Sequence, residues 1–365
     1  MSQTAIPCLV MRGGTSKGLF FKTDDLPSER ATRDAVLLSA MGSPDAREID
    51  GMGGGHPLTS KVAVVKKSNR PDIDVDYLFL QVWPDRAEVS DQQNCGNILA
   101  GVAPFAIEQG LIKAQDGITS VRIWMENTQS TATAHVLTPN KEVSYDGDAR
   151  IDGVPRSHAP INIDFEDLAG SSCGSLLPTG NAVDEINGVR VTCIDNGMPV
   201  VCLAASDFGL IGNETPAEIE ANAEVAARVE AIRLAVGPMM NLGDVTNKTV
   251  PKMSLVSAPF SGGAISTRTF IPHRVHDAIG VLGAVSVATA CLVPGSVAYD
   301  IAHVESKDGE ATMVEVEHPT GFFTVSMDVQ IVDGAVTVKK SALLRTARLL
   351  MRGEVYVPSN VWSGK

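Results

Sequence analysis

The chain has few aromatic side chains and no excess of positive charge. Phe, Trp and Tyr make up 5% of its 365 residues against 44% apolar residues in all, so the core must be mainly aliphatic. Lys and Arg number 30 against 43 Asp and Glu, which gives a formal net charge of −13 at pH 7. This charge predicts no nucleic-acid partner and no anionic membrane partner. A small anionic substrate would need a locally cationic pocket.

Cysteine is also sparse. Six cysteines are spread along the chain, no CxxC occurs, and no Cys/His spacing suits zinc or an iron–sulfur cluster. We therefore predict no metal, and reduced thiols rather than disulfides. The N-terminus lacks the apolar stretch of a secretory signal, and the longest uncharged run, 278–299, contains glycines, serines and a proline. This run predicts a buried helix rather than a membrane span, and the protein is expected to be cytoplasmic.

Two apolar segments rich in glycine and alanine, CGNILAGVAPFAI and IGVLGAVSVATACLV, each lie among many strand-like runs. A helix that is apolar on all sides needs burial on all sides, which strands wrapped around it provide. The sequence therefore predicts an α+β fold of two similar halves, each a β-barrel-like sheet around a central buried helix, with the active site in the cleft between them. We place the halves at 1–185 and 186–365, with the last ~25 residues crossing back to the first half.

Cys95 stands at the start of the first apolar segment. A thiol among the unpaired backbone N–H groups of a helix N-terminus is stabilised as the thiolate, which is the reactive form. The alternative is a cysteine that fills a small gap in the core. The amide side chains of Gln92, Gln93, Asn94 and Asn97 surround it in sequence, and a packing cysteine would not need them.

Lys61 follows a glycine-rich loop and opens the apolar run VAVV. Its ammonium either lies in solvent at the end of the strand or points into a partly dry cleft. The second placement would favour the neutral amine and make Lys61 a general base.

Hydroxyl and cationic side chains elsewhere are candidate carboxylate ligands. RGGTSKG, 12–18, lacks the spacing of a phosphate-binding loop and precedes a strand, so we exclude a nucleotide site. TRTFIPHRVHDAIG, 267–280, offers several cations, and its alternative is an ordinary charged surface loop. Asp45, Glu48 and Asp50 show no metal-site spacing and are expected at a solvated helix end. The predicted substrate-binding residues are Arg12, Thr15, Ser16, Ser60, Asn94, Gly96, Asn97, Arg268, His273 and Arg274.

NCGN followed by a buried helix resembles the diaminopimelate-epimerase superfamily. In that superfamily each of two barrels surrounds a helix capped by a cysteine, and the two thiols are the bases of a racemase. The first half of this chain carries the motif at 94–97, whereas Leu282 stands where the second cysteine is expected. This difference disfavours a symmetric two-thiol racemase.

The narrower group of PrpF-like isomerases is similar to the chain over almost its whole length. The shared motifs are MRGGTSKG, MGSPDAREIDGMGGG, LTSKVAVV, QNCGNILAGV, SCGSLLPTG, DNGMPVV, NLGDV, PHRVHDAIGVLGAVSVATACL and LLRTARLL. The oxalomesaconate group looks most similar, and the resemblance implies that Lys61 and Cys95 form the catalytic pair. His56 and Pro57 replace an expected small acidic or hydroxylic pair, a departure that would retune the pocket.

The resemblance implies a cofactor-independent isomerase that removes and returns a proton on an unsaturated polycarboxylate. Lys61 would abstract the proton, and Cys95 would either deliver it on the other side or tune Lys61. The main hypothesis is 4-oxalomesaconate tautomerisation or isomerisation in gallate or protocatechuate catabolism. The alternatives are a 2-methylaconitate cis-trans isomerase of propionate catabolism and a non-catalytic accessory protein of an aconitase-type dehydratase. A homodimer is the default expectation.

Overall fold

The computed structural model describes residues 2–91, 94–166, 168–305, 312–332 and 335–364, and it contains two compact units. Unit 1 comprises Met1–Ile163 with Leu344–Lys365, and unit 2 comprises Asp164–Leu343. The boundary placed at 185/186 from the sequence lies inside unit 2, and the chain returns to unit 1 at Leu344. Each unit combines many strands with few helices, which confirms the α+β class. Gln92 and Gln93 lie outside the described residues.

The strands are β1 (Gln3–Gly13), β2 (Ser16–Lys22), β3 (Lys61–Lys67), β4 (Val75–Val82), β5 (Val89–Ser90), β6 (Gly117–Met125), β7 (Ser130–Thr138), β8 (Pro160–Glu166), β9 (Asp184–Ile186), β10 (Val189–Asp195), β11 (Pro199–Ala204), β12 (Lys252–Ser257), β13 (Ile265–Phe270), β14 (Thr312–His318), β15 (Gly321–Val332) and β16 (Ala335–Pro358). The helices are α1 (Arg30–Met41), α2 (Gly96–Leu99), α3 (Val102–Glu108), α4 (Pro216–Ala221), α5 (Ala223–Met239), α6 (Val281–Ala290) and α7 (Val297–Ile301). In the described ranges no helix has the length and apolar character that crossing a membrane requires.

The sheet of unit 1 curves around α2 and α3. Its hydrogen-bonded strand order is β1-β2-β3-β4-β6-β7, and the other edge of β1 pairs with the C-terminal part of β16. α2 packs against β1 and β2, whereas α3 packs against β3, β6 and β7. Strands from both ends of this order therefore contact the same pair of consecutive helices. We call the face that packs on α2 and α3 the helix face and the opposite face the outer face.

Successive residues of β3 and β4 alternate between two buried surfaces, because side chains along a strand point to opposite faces. Val62 and Val64 belong to a core cluster with Leu37 of α1, so they lie on the outer face. The alternate residues of β3, Lys61 and Ala63, therefore lie on the helix face together with their register partners on β4. Burial on both sides explains why this stretch reads as a continuous apolar run rather than an alternating one.

Unit 2 is built in the same way around α6. Its strand order is β9-β10-β11-β12-β13-β14-β15, and β15 pairs with the N-terminal part of β16. α6 packs against β10 and β11 and also against β14 and β15. Every residue of α6 is buried, as expected for a helix that is apolar on all sides. The helix begins at Val281, so Leu282 occupies its first turn.

Arg233 of α5 is fully buried, which is rare for a charged residue. Its Nε and Nη2 donate to the two carboxylate oxygens of Glu230 at 2.7 and 2.8 Å. Its Nη1 donates to the carbonyl oxygens of Val245, Lys248 and Val250 at 2.9, 3.2 and 3.4 Å. One guanidinium thus satisfies the backbone of the segment that follows α5.

We expect Arg233→Met to lower the free energy of unfolding by about 3 kcal/mol, because it leaves a carboxylate and buried carbonyls without their donor. Urea denaturation followed by circular dichroism measures this. Arg228→Met on the same helix is the matched control, since among the described residues Arg228 donates to the carbonyl oxygen of Asp207 and stacks on Phe208. It should cost less than about 1 kcal/mol. Equal losses in both variants would contradict the role given to Arg233.

Candidate active site

Lys61 is the first residue of β3, and its side chain is buried on the helix face with 7% exposure. Its Nζ donates to Oε1 of Gln81 at 2.8 Å and lies 5.0 Å from the ring centroid of Phe79. None of the ion pairs between described residues includes Lys61. The placement of the amine in solvent is therefore wrong, and the buried alternative is correct. The amine lies against a neutral amide and an aromatic ring.

Gln81 is the register partner of Lys61 across the β3–β4 ladder. The residue is 1% exposed, and its Nε2 donates to the carbonyl oxygens of Pro57, Ser60 and Val82, each at 3.1 Å. Three carbonyl acceptors around one end of the amide leave only the orientation in which Oε1 faces the lysine. The side chain of Gln81 is thus fixed before any ligand binds.

Ser60 points away from Lys61, to the outer side of the strand entrance. Its hydroxyl donates to Oε2 of Glu48, and the same oxygen accepts from the backbone N–H of Gly55 at 2.7 Å. Glu48 is 1% exposed, so its expected place at a solvated helix end is wrong. Its carboxylate lies beneath the glycine loop, where a Cβ on Gly53 would come within 2.2 Å of it. Glu48 thereby ties this loop to the start of β3.

Cys95 caps the N-terminus of α2, which begins at Gly96. Its thiol is half-buried, and its carbonyl accepts from the backbone N–H of Leu99 at 3.0 Å. Asn94 accepts from the backbone N–H of Cys95 at 2.7 Å, and its Nδ2 lies 2.8 Å from Sδ of Met125. The cysteine therefore stands at a helix start within unit 1, as the sequence predicts.

Tyr77, Phe79 and Gln81 occupy alternate positions of β4 and so share the helix face. Phe79 and Gln81 contact Lys61. Tyr77 is fully buried, and its hydroxyl has no hydrogen-bond partner among the described residues. Burial and the nearby Cys95 raise the pKa of Tyr77 well above its ordinary value. The helix-face side chains of β4 thus contact Lys61 at one end of the strand, and Tyr77 lies near Cys95.

The glycine turn between β1 and β2 packs directly on α2. Asn97 donates from Nδ2 to the hydroxyl of Thr15 at 3.1 Å and accepts from the Thr15 backbone N–H at 3.4 Å. A Cβ on Gly14 would lie 2.1 Å from Oδ1 of Asn97. The predicted binding residues Thr15 and Asn97 are therefore brought together, and they hold the turn against the helix.

Ser16 lies on the same face as Lys61. It stands two residues before Gly18, the register partner of Lys61 in the parallel β2–β3 pair. Ser16 is buried, and its hydroxyl has no hydrogen-bond partner among the described residues. Of the predicted hydroxyl ligands, this one has a polar atom left for a substrate.

Two arginines of unit 1 lie on opposite faces of the sheet. Gly13 faces α2, so Arg12 lies on the outer face, where its Nη1 donates to the carbonyl and hydroxyl of Thr346 at 3.1 and 3.0 Å. Burial, followed by the charge of the opposing arginine on β16, lowers the pKa of Arg12 to about 10. Arg345 stands two residues before Ala347, the register partner of Gly13, and so lies on the helix face. It is buried, and burial lowers the pKa of Arg345 to about 9.

The three predicted cations of unit 2 do not form a cluster. Arg268 is buried and donates to the carbonyl oxygens of Glu214 and Thr267. His273 is 64% exposed with Nδ1 3.7 Å from the carboxylate of Glu230, and Arg274 is 83% exposed beside Glu220. His273 and Arg274 are thus exposed side chains beside glutamates, which is what the alternative of a charged surface loop expects.

Sequence reasoning missed Gln81, Tyr77, Glu48 and Arg345. A weak signal was present for Gln81, because VDYLFLQVW places one amide in an otherwise apolar strand. Tyr77 gave no signal, since tyrosine is common in buried strands. Glu48 lies among other charged residues, and Arg345 lies in a strand-like run that carries other arginines; only the chain path shows that both are buried.

Comparison with known proteins identifies relatives that span the whole chain. The model of the PrpF protein family matches residues 3–358. A (4E)-oxalomesaconate Delta-isomerase of Novosphingobium sp. (strain KA1) is 61% identical over 351 residues, which cover 96% of this chain and 97% of that protein. A 4-oxalomesaconate tautomerase of Pseudomonas putida is 56% identical over 364 residues, which cover 100% of this chain and 99% of that protein.

A solved structure shows the same fold. The crystal structure of a methylitaconate-delta-isomerase superposes with a TM-score of 0.87 at 36% sequence identity, covering 100% of this chain and 98% of that chain. The match over the whole chain confirms the α+β fold expected from the sequence.

Tyr77→Phe should raise the free energy of unfolding by about 1 kcal/mol, because it removes a buried hydroxyl that has no partner among the described residues. Tyr145→Phe is the matched control. Its hydroxyl donates to Glu108 at 3.2 Å, so that variant should lose about 1 kcal/mol. Urea denaturation of the two variants measures the difference, and a loss of stability in Tyr77→Phe would contradict the assignment.

Proposed function

Because this chain belongs to the PrpF family, we propose that it is an isomerase that moves a proton on an unsaturated polycarboxylate, with 4-oxalomesaconate as its substrate. Relatives with 61% and 56% identity over nearly the full length carry the names of oxalomesaconate enzymes. The observation in the structure that carries the chemistry is the buried amine of Lys61, held against a neutral acceptor.

The proposed reaction begins when the neutral amine of Lys61 takes a proton from a carbon next to a carbonyl and a C=C bond. The electron pair of the broken C–H bond delocalises into a dienolate, and Lys61 becomes an ammonium. A proton then returns to a different atom of the dienolate, so the double bond or the keto-enol form changes. The atoms and the oxidation state of the substrate are conserved overall.

Cys95 is the proposed second group of the site. Its half-buried thiol stands at the start of α2, where backbone N–H groups stabilise negative charge. It can return the proton to the other end of the dienolate, which leaves a thiolate that the Lys61 ammonium reprotonates. It can also act by tuning Lys61 without transferring a proton itself.

A polyanionic substrate needs cations and donors on the helix face, because the chain as a whole is acidic. We assign this role to Arg345 and Ser16 rather than to Arg12, whose guanidinium lies on the outer face. A carboxylate beside Arg345 would offset the unfavourable burial of its charge. Aromatic-acid catabolism is the proposed setting, as the source of 4-oxalomesaconate.

Lys61→Ala should reduce turnover by at least about 10²-fold, which is the lower range for loss of a general base. The assay offers 4-oxalomesaconate and 2-methylaconitate separately to the pure protein in heavy water and follows deuterium incorporation and product by proton NMR. Lys67→Ala, at an exposed position of the same strand, is the control and should keep wild-type turnover. Near-normal turnover of folded Lys61→Ala would exclude Lys61 as the base. An absence of deuterium exchange with the wild-type protein would instead support the non-catalytic accessory role.

Cys95→Ser should also slow the reaction, by about 10²-fold or more, because the serine hydroxyl is much harder to ionise than a thiol. The same NMR assay separates the two steps of the reaction. If Cys95 returns the proton, this variant still exchanges the first substrate proton for deuterium while product formation falls. Full product formation in Cys95→Ser would reduce Cys95 to a packing role.

A further inference from the structure

Gln81 is the direct neighbour of the proposed base, and its side chain cannot change its orientation freely. Its Nε2 is held by the carbonyl oxygens of Pro57, Ser60 and Val82, so Oε1 stays aimed at Nζ of Lys61. Two of these carbonyls belong to the loop that enters β3, and the third belongs to β4 itself. The amide therefore couples the position of the amine to both strands.

The chemical type of the acceptor matters as much as its position. A carboxylate at 2.8 Å would form a buried ion pair with Lys61 and hold it as the ammonium, which cannot take a proton. An apolar side chain would leave a buried amine without an acceptor. An amide oxygen orients the amine through a dipole and forms no ion pair with it.

The helix-face residues of the two strands that flank β3 include no carboxylate, so none of them can pair with Lys61 as an anion. β2 presents Ser16, Gly18 and Phe20 on the helix face, and none of them carries charge. On β4 the titratable side chain of the same face is Tyr77, which lies near Cys95 at the start of α2. Glu48 approaches β3 from the other side, where it accepts from Ser60.

We propose that Gln81 is a positioning residue that fixes the amine of Lys61 on the helix face with a neutral acceptor and keeps it available as a base. The proposal rests on the proposed function for its catalytic consequence, but its effect on Lys61 is measurable without substrate. His56 and Pro57, which depart from the expected family pattern, belong to the loop whose carbonyl holds Gln81. That loop therefore acts on the site through the orientation of this amide.

The test uses Gln81→Glu and Gln81→Met in the full-length protein. Lysine labelled with ¹³C at Cε is titrated by NMR, and the Lys61 resonance is assigned by its loss in Lys61→Arg. We expect the titration midpoint of Lys61 to rise by about 1 pH unit or more in Gln81→Glu, and to fall in Gln81→Met. Gln3→Glu is the control, since it adds the same charge at an exposed position. Gln3 lies at the opposite end of β1 from the glycine turn, about 30 Å away along the strand. The control variant should leave the midpoint unchanged.

The kinetic readout follows the same change. In Gln81→Glu the acidic limb of the rate profile should move to higher pH by the same amount as the NMR midpoint, with kcat at pH 7 reduced at least about 10-fold. In Gln81→Met the fold-change in kcat should exceed the fold-change in KM, because the amine loses the group that orients it. A merely structural role would lower stability without moving either midpoint.

The outcomes separate this inference from the proposed function. If both variants are folded by circular dichroism and Lys61 titrates as in the wild type, the positioning role of Gln81 is overturned. If the midpoint moves as expected but the wild-type protein isomerises none of the polycarboxylates offered, Gln81 keeps its role and the proposed function fails. Gln81→Met carries the test alone if the buried carboxylate of Gln81→Glu prevents folding.

Discussion

A lysine amine buried on an apolar face of a sheet must have a hydrogen-bond acceptor, and the rest of the site depends on how this requirement is met. Lys61 receives one acceptor from the next strand, and that acceptor is held in turn by three backbone carbonyls. Because no carboxylate of the described residues pairs with the amine, its charge is not neutralised in place. The amine is thus held in place by a neutral acceptor rather than by an ion pair.

Glycines allow the backbone of the β1–β2 turn and of β2 to approach α2 and the start of β3 closely. Gly18 lies beside Lys61, and a Cβ there would come within 2.1 Å of the Lys61 carbonyl oxygen. Gly14 meets Asn97 in the same way at the first turn of α2. These contacts hold the β1–β2 turn against the helix start that carries Cys95. The two glycines thus allow the β1–β2 turn, α2 and β3 to pack closely together.

The site also contains polar groups that a purely structural core would not retain. The hydroxyls of Ser16 and Tyr77 are buried without partners among the described residues, and each costs stability. Arg345 places a cation on the same buried face of the sheet. The two unpartnered hydroxyls on this face, in contrast to the well-satisfied network at Arg233, fit a face whose polar groups serve binding at a cost in stability.

The sequence by itself determined the features that are encoded locally. Two helices apolar on all sides require sheets curved around them, a cysteine before such a helix becomes its cap, and a lysine before an apolar run begins a strand. Register and facing are decided by pairing between distant segments, so only the tertiary structure could show that Arg12 points outward, that Arg345 points to the helix face, and that Gln81 meets Lys61. A shift of one residue in the pairing register moves each side chain of a strand to the opposite face of the sheet. The sequence around these residues does not specify which register forms.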